Sequence, residues 1–530
     1  MGPHRLLVCA SLLLACGDDT TQLPSGSGDA SETGTSSATD ISAGQTSAPT
    51  STVGDATTGG ATTDATTGAA EDSTGAGPGG PSSEATGETT GVPAGCEEVN
   101  VPDALLSAEL ITALGLGVGP ISGEFASTVE KLRVAGTGIA DLTGLECFVH
   151  LKEFELVFGG EVTDLGPLSG LHALERVEIR SHKIADVQPL VGLEALRVLN
   201  VRKNAIVDLA PIAALTSLEE LTIDGNPVTS FAPLAGHPAL RTLDADSTQP
   251  ADLVGLGQIS QLELLELRSA GVTDLGPLVG LTGLVELQLY ENEVADLVPL
   301  AGMKKLRRLG IYDNKLTDLA PLAGLPALEA VTVGHNKIVD PSPMAHHPAL
   351  AILYLQENLI TDVFALVDLP AITQLGLSDN GISDVTPLAQ LTTLTQLELA
   401  RNPLTKGIAG LEPLTALMML DVTATGITDL AEIAPGELSN LIARDNAIVD
   451  LAPLAGHQKL GEVDLSNNEI TTMNPVLAGS WWMKNGCSYW MLGGNALDAT
   501  TVNVSLPTLC DENAVALSWD GGDCLSCDHN

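Results

Sequence analysis

Three short motifs in the sequence combine residue types that could support catalysis or metal binding. Cys524–Cys527 is a Cys-x-x-Cys pair, the spacing of redox-active dithiols and of zinc ligands. Asp520–Asp523 places two carboxylates around two glycines, which could hold calcium, and His346–His347 supplies two imidazoles. The cysteine pair lacks a strand–helix redox context and a second Cys-x-x-Cys, Asp and Gly are common in turns, and no carboxylate stands at helical spacing from the histidines. We therefore predict that none of the three is a catalytic or metal centre.

Three histidines share one position of a repeating pattern, nineteen residues into a unit: His237, His347 and His457. They are three or more units apart and cannot share a metal ion, so we predict that they fill core or edge positions. The sequence has no phosphate-binding loop, dinucleotide fingerprint or nucleophile elbow. It therefore predicts a protein with no enzymatic activity, no cofactor and no metal.

The composition excludes some classes of partner. The formal charge of −44, from 67 acidic and 23 basic residues, would repel nucleic-acid phosphates and anionic lipid surfaces. Aromatic residues make up 3% of the 530 residues, too few for several independent globular cores. We therefore expect many small, similar layers and no nucleic-acid partner.

An internal repeat predicts the architecture. The windows 196–217 and 218–239 share the frame L-x-x-L-x-L-x-x-N-x-I-x-D-L-x-P-L-x-x-L-x-x, and sixteen such units begin from Val129 to Leu460. Three spacings depart from 22 residues, each by one residue. The L-x-L segment alternates with period two, as a strand with one buried face requires, so successive units predict strands stacked in parallel.

This pattern over residues 129–480 resembles the leucine-rich repeats of the internalin class. The resemblance implies an α/β solenoid: a right-handed horseshoe with a concave parallel sheet and short, often 3₁₀, helical returns. The recurrent Asn is expected to hydrogen-bond the backbone of each bend, and the recurrent Asp to act as N-cap of each return. A ladder of carboxylates could instead bind cations, but capping is the simpler interpretation.

The N-terminal segment is predicted to export and tether the repeats. Residues 1–15 have a basic start and an apolar run typical of a signal peptide, and Leu13–Cys16 resembles the bacterial lipobox, which implies lipidation of Cys16. The alternative is an ordinary signal peptide that contains a cysteine. Residues 16–95 are rich in Ser, Thr, Gly and acidic residues without Lys or Arg, so we expect a disordered linker. Gly17 after the cysteine favours the outer membrane or cell surface, with the lipid as the only membrane anchor.

Caps are expected at both ends, because a solenoid otherwise exposes an apolar layer. Residues 96–128 predict an N-terminal cap with a helix that begins after Asp103, and Cys96 with Cys147 predicts a disulfide between cap and array. Residues 481–530 hold all four tryptophans and predict a disulfide-rich C-terminal cap. Its cysteines allow three pairings, and the sequence does not choose among them: Cys487, Cys510, Cys524 and Cys527.

Outward-facing strand positions are the candidate binding surface. Three of the four tyrosines of the chain are predicted to lie there as exposed anchors beside charged residues, a composition typical of binding hot spots. The predicted ligand-binding residues are Arg268, Glu286, Tyr290, Glu291, Arg308, Asp313, Tyr354, Gln356 and Tyr312. A chance cluster, with Tyr simply favoured in strands, is the alternative.

Charge along the same face is expected to be banded. Early units are basic through Lys131, Arg133, Arg176, Arg180, Arg202 and Lys203, and the next are acidic through Glu220, Asp224, Asp244 and Asp246. Internalin-class proteins bind other proteins through the concave face, so the resemblance implies recognition of a protein or glycan. This chain lacks the wall-sorting motif and the immunoglobulin-like domain common in that class, which puts host adhesion in doubt. The alternative function is a passive envelope coat without a specific ligand.

Overall fold

The computed structural model describes residues 92–117, 119–433, 436–457, 459–477, 488–506, 515–520 and 522–524. The predicted signal peptide, Cys16 and the linker up to residue 91 lie outside these residues, as do Cys487, Cys510 and Cys527. The pairing of the C-terminal cysteines therefore stays a prediction.

Strands form at the L-x-L segments, where a leucine points into the core between two outward side chains. In the described part of the chain, nineteen strands form one unclosed sheet. They are Lys131–Val134 (β1), Glu153–Leu156 (β2), Arg176–Ile179 (β3), Val198–Asn200 (β4), Glu220–Thr222 (β5), Thr242–Asp244 (β6), Leu264–Glu266 (β7), Glu286–Gln288 (β8), Arg308–Gly310 (β9), Ala330–Thr332 (β10), Ile352–Tyr354 (β11), Gln374–Gly376 (β12), Gln396–Glu398 (β13), Met419–Asp421 (β14), Asn440–Ile442 (β15), Glu462–Asp464 (β16), Ser488–Met491 (β17), Val515–Trp519 (β18) and Gly522–Cys524 (β19).

Register follows the repeat length. Each strand from β1 to β17 pairs in parallel with the next strand, and a residue usually lies opposite the one 22 positions later, as Leu265 lies opposite Leu287. Where a unit is one residue longer, the partner moves with it, so Phe154 faces Val177. The repeat therefore places equivalent outward residues side by side along the sheet.

Short 3₁₀ helices return the chain behind the sheet. They are Leu145–Cys147, Gly166–Leu168, Gln188–Leu190, Ile212–Ala214, Ala232–Leu234, Leu256–Gln258, Gly276–Leu278, Val298–Gly302, Ala320–Leu322, Ser342–Met344, Phe364–Val367, Thr386–Gln390 and Ala452–Gly456. The prediction that the recurrent Asp is their N-cap was wrong by one residue. Asp318 Oδ1 accepts a hydrogen bond from Ala320 N at 2.7 Å, while Leu319 occupies the N-cap. The Asp therefore forms an Asx turn that leads into the helix.

The recurrent asparagines join adjacent units, as predicted. Asn336 Nδ2 donates to the carbonyl of Val333 in its own bend and to that of Ile311 in the preceding unit, both at 3.1 Å. Its Oδ1 accepts from Leu316 N at 2.9 Å. One buried side chain thus pairs three backbone groups that the bend would otherwise leave unsatisfied.

The N-terminal end is covered by two helices, α1 (Ala104–Ala113) and α2 (Gly123–Ala126). Asp103 is the N-cap of α1, and Oδ1 accepts from Leu105 N and Leu106 N at 2.9 and 3.0 Å. Leu106 and Leu110 are fully buried against the array. The predicted Cys96–Cys147 disulfide is present. This end of the core is therefore closed by helix packing and by a covalent link.

At the C-terminal end, parallel pairing extends beyond the sixteenth unit. The helix α3 (Asn474–Leu477) follows β16, and a π-helical segment, Thr501–Ser505, separates β17 from β18. Trp490 of β17 is buried opposite Val463, where a repeat leucine would lie. Asn495 takes over the ladder role, with Oδ1 accepting from Ile470 N at 3.1 Å. The antiparallel strand β19 then pairs with β18.

Candidate ligand-binding surface

The concave face consists of the outward side chains of the parallel strands and of the residues that directly follow each strand. All nine predicted ligand-binding residues lie on β7–β11 or within three residues of the end of one of these strands. Tyr489 of β17, which the sequence analysis left out, also points outward, in register with Glu462. All four tyrosines of the chain therefore face the same side of the sheet.

Tyr290 lies flat across a neighbouring strand because that strand carries a glycine. A Cβ at Gly310 would come within 2.5 Å of the Tyr290 ring, so any larger residue would displace it. The phenol hydrogen-bonds the side chain of Thr332, two strands away from β8. Burial raises the pKa of the Tyr290 hydroxyl. The ring is therefore held at both ends before any ligand arrives.

Tyr312 and Tyr354 repeat this arrangement. The Tyr312 ring lies at 2.9 Å from the Cβ position of Gly334, and its hydroxyl donates to Glu357 Oε1 at 3.1 Å. The Tyr354 ring lies at 2.4 Å from the Cβ position of Gly376, and its hydroxyl donates to Gln374 Oε1 at 2.8 Å. The three ring–glycine pairs place a row of fixed aromatic groups along the face.

Not all of the predicted anchors are exposed, which corrects the sequence analysis. Tyr354 and Gln356 are each 8% exposed, and Glu286 is 9% exposed. Gln288 and Arg308 bond to Glu286, and the Tyr354 hydroxyl donates to Gln374, so these buried side chains lie in the floor of the surface. Tyr290, Tyr312 and Arg308 remain accessible above it.

The glycines under the rings and the partners of the tyrosine hydroxyls were not predicted from the sequence. Gly310, Gly334 and Gly376 stand 20 or 22 residues after a tyrosine, at outward strand positions where other units carry larger side chains. The spacing between each tyrosine and its glycine could therefore have predicted these pairs from the sequence. The partners Thr332 and Glu357 carry no comparable signal, because the tilt of each ring decides which group its hydroxyl reaches.

A charged rim borders the face at the residues with positive φ that follow the strands. The Tyr312 ring stacks on His335 with ring centroids 5.7 Å apart, and His335 Nδ1 lies 2.8 Å from Asp313 Oδ1. Ser269 donates to Glu291 at 2.9 Å, and Arg401 pairs with Asp379. The rim therefore carries both acidic and basic side chains and is held by contacts between neighbouring units.

An acidic cluster lies on β6 and β7, next to the tyrosines. One carboxylate oxygen each of Asp244, Asp246 and Glu266 lies within 4.8 Å of the other two. In the described part of the chain, no other group of three His, Cys, Asp or Glu side chains comes this close together. Arg268 reaches Glu266 at 2.5 Å and Asp246 at 3.4 Å, and its guanidinium lies 5.7 Å from the centre of the Tyr290 ring. Burial raises the pKa of all three acids, to about 7 for Asp246. One guanidinium is thus shared by three crowded carboxylates.

The predicted basic band over the early units is largely neutralised, because acidic residues of the same strands lie among four of its six basic residues. Lys131 pairs with Glu153 at 2.7 Å. Arg180 bridges Glu155 and Glu178, at 2.8 and 2.9 Å. Charge neutralisation across adjacent units therefore replaces a basic surface in this region.

The histidines singled out by their repeat position are buried in the core, as predicted. His237 is 4% exposed and its Nε2 lies 3.0 Å from the Leu215 carbonyl, and His347 and His457 are each 2% exposed. Burial lowers the pKa of His237 and His457.

The Asp-Gly-Gly-Asp motif takes part in a backbone contact. Asp520 Oδ2 accepts a hydrogen bond from Gly494 N at 2.8 Å.

No protein-family model matches the chain, and no curated protein sequence matches it. Solved structures do match. The internalin InlF of Listeria monocytogenes is 30% identical, with a TM-score of 0.57, over 60% of this chain and 95% of that one. The chain belongs to the internalin-like leucine-rich-repeat proteins.

Two further structures share the fold of this leucine-rich-repeat protein. The functional domain of InlJ from Listeria monocytogenes, which includes a cysteine ladder, is 21% identical with a TM-score of 0.54, over 74% of this chain and 80% of that one. The leucine-rich-repeat protein LIC12759 of Leptospira interrogans is 18% identical with a TM-score of 0.53, over 76% of this chain and 93% of that one. In the described residues, no helix is long and apolar enough to cross a membrane.

Proposed function

We propose that this leucine-rich-repeat protein is a non-enzymatic recognition module that binds a protein or glycan partner on its concave face. The observation that carries the proposal is the row of tyrosine rings laid over glycines, with their hydroxyls already bonded to side chains one or two strands away. Aromatic groups held before binding lose little conformational entropy when a partner docks. Tyr and Arg are also the residues that most often dominate binding energy at interfaces.

The proposal includes location. The lipobox-like Leu13–Cys16 and the acidic linker that follows support export, lipidation of Cys16 and display of the repeats at the cell surface or outer membrane. Electrophoresis after metabolic labelling with a fatty-acid analogue tests the anchor. Wild-type protein should carry label and Cys16→Ser should not, whereas label on both would contradict lipidation at this residue.

Capture of partners tests the recognition role. The full-length chain is coupled to beads and exposed to envelope extracts and intact cells, alongside a Tyr290→Ala/Tyr312→Ala variant. The matched control is Val298→Ala/Phe364→Ala, which removes two exposed apolar side chains, 64% and 66% exposed, from the 3₁₀ returns behind the sheet. Equal melting temperatures establish that all three proteins are folded.

A partner retained by wild type and control but lost by the tyrosine variant is the expected result. Equal retention by all three proteins would contradict binding at the tyrosines. Absence of any captured partner would favour the second candidate, a passive envelope coat. The many ion pairs between neighbouring units, such as Arg241–Glu263 and Arg307–Glu329, support that candidate because they stabilise the array whether or not a ligand binds.

A further inference from the structure

Given the proposed recognition role, we infer that the partner is a protein segment that presents Lys and Arg side chains, and that it docks across β6–β9 of the concave face. This region is called the acidic strip and is defined by Asp244, Asp246, Glu266, Glu286 and Glu291.

In the acidic strip, several carboxylates crowd around one basic side chain. Elsewhere in the described residues, many basic side chains pair one to one with a carboxylate of a neighbouring unit, as Lys152 does with Glu130 at 2.9 Å. In the strip, Arg268 is shared by Asp244, Asp246 and Glu266. A surface with this charge attracts and orients a cationic partner.

The charged groups that act on Asp246 lie on β6 and β7 or directly after these strands. Burial is the largest effect and raises its pKa to about 7, Arg268 lowers it, and Asp244 and Glu266 raise it further. Asp224 and Arg202 act on the neighbouring Asp244 in opposite directions. An added cation would stabilise the ionised form of these acids, so docking is linked to proton release.

Arg268 shows how this surface holds a guanidinium. Its Nη2 lies 2.5 Å from Glu266, its Nη1 lies 3.4 Å from Asp246, and its charge lies 5.7 Å from the centre of the Tyr290 ring. Carboxylates and an aromatic ring are the groups that bind cationic side chains in proteins. Glu286 already pairs with Arg308 in a similar manner, at 2.5 Å.

Among the described residues, two buried side-chain groups at the strip have no hydrogen-bond partner, the acceptor Gln288 Oε1 and the donor Arg268 Nε. Gln288, 4% exposed, donates through Nε2 to Glu286 at 2.9 Å, which fixes its amide orientation, and Oε1 has no partner among the described residues. A cavity of 510 Å³ adjoins the strip and is lined in part by Glu291, Glu293 and Gln249. Lys and Arg are donor-only side chains and complement such a surface, whereas a neutral glycan would not neutralise its charge.

Titration with a defined cationic peptide tests the inference. The probe is a twelve-residue peptide of alternating Lys and Ser, measured by calorimetry with the full-length chain at 0.15 M salt and at pH 6 and pH 8. The site variant is Asp244→Asn/Asp246→Asn/Glu266→Gln, which retains the shapes of the side chains. The matched control is Glu194→Gln/Glu412→Gln/Glu469→Gln, which removes the same charge from exposed positions without ion pairs in the described residues.

We expect the site variant to bind at least tenfold more weakly and the control to change affinity less than twofold. Wild type should bind several-fold more tightly at pH 8 than at pH 6, because the Asp246 carboxyl, with a pKa of about 7, is then ionised. If the site variant and the control both bind the peptide equally more weakly than wild type, the net charge of the protein explains the binding and the inference is overturned. The inference would also be overturned, in favour of a glycan partner, if wild type and the site variant both bind neutral cellohexaose and neither binds the peptide.

The two proposals fail in different ways. If a captured partner depends on Tyr290 and Tyr312 but binds the site variant normally, recognition stands and the cationic partner is wrong. If no partner is captured and the peptide does not discriminate between the site variant and the control, both are wrong.

Discussion

Asp103 connects a local helix signal to the tertiary structure. Oδ1 caps α1, and Oδ2 accepts from Ala140 N at 2.9 Å and Asp141 N at 3.1 Å, in the first repeat. Burial alone would raise the pKa of this carboxyl, but the four backbone hydrogen bonds together lower it. The sequence predicted the cap from Pro102-Asp103 and the helical pattern. The contacts to the first repeat depend on how α1 packs and could not be read from it.

Replacement of Asp103 should weaken the N-terminal cap. Asp103→Ala is expected to lower the free energy of unfolding by about 1–2 kcal/mol at pH 7, whereas Glu97→Ala, which removes an exposed carboxylate, should have little effect. Because the folded-state pKa of Asp103 is below its ordinary value of 3.8, the stabilisation is present above that value and is lost as the pH falls through the lower folded-state pKa. Thermal unfolding at pH 7 and pH 2.5 measures both effects, and an unchanged difference at pH 2.5 would contradict them.

The tyrosine–glycine pairs can be tested by adding one methyl group. Gly376→Ala places a Cβ 2.4 Å from the Tyr354 ring and should cost about 1–3 kcal/mol of stability. Most of that cost should disappear in a Tyr354→Ala background, since the clash is then absent. Gly302→Ala is the control, because its Cβ would meet no atom within 4 Å. Additive effects in a denaturant-unfolding cycle would refute the pairing.

At the scale of elements, the N-terminal cap and its disulfide act as one unit. The bond joins positions 51 residues apart, so it restricts the unfolded chain over a long loop. The sequence predicted this pair from export and cysteine positions. By contrast, β17 and β18 were not predicted as strands, because Tyr489 and Trp490 interrupt the leucine pattern and the strand spacing is longer there. Leu492, Asn495 and Leu497 retain part of the repeat signal there.

Removal of the disulfide should destabilise the cap more than the centre of the array. Cys96→Ser/Cys147→Ser is expected to cost about 2–4 kcal/mol. Stability in a solenoid is carried by neighbouring units, so the loss should be local. Hydrogen exchange should quicken in α1 while β9–β12 keep their protection. Uniform loss of protection along the chain would show that the array unfolds as one unit.

At the scale of the whole molecule, the constant register makes the units exchangeable. Deletion of residues 196–217 joins two units in frame, so the chain should fold with a slightly lower melting temperature. Deletion of residues 196–206 leaves half a unit and should abolish cooperative unfolding. Circular dichroism during heating distinguishes the two variants, and equal stability would contradict nearest-neighbour stacking.

The acidic cluster should make the stability of the molecule depend on pH. The folded-state pKa of Asp246 is about 7, above its ordinary value of 3.8, so its favourable contribution is complete below pH 4 and is lost as the pH rises through 7. Asp246→Asn is therefore expected to be more stable than wild type at pH 8, by on the order of 2 kcal/mol, and similar at pH 4. Glu412→Gln serves as the control. Urea unfolding at both pH values measures the difference, and no gain at pH 8 would refute the assignment.

The solenoid, the register of its strands and the helical cap at its N-terminal end could be predicted from the sequence alone. This was possible because each unit repeats the same local signals: an alternating strand, an asparagine bend and an aspartate turn. The tertiary structure decided how the concave face is built. Equivalent positions of separate units become neighbours only in the sheet, so the flattening of the tyrosine rings over glycines and the neutralisation of the early basic residues depend on contacts 20 or more residues apart in the chain. Burial by those same neighbours raised the pKa of Asp246, which composition does not specify.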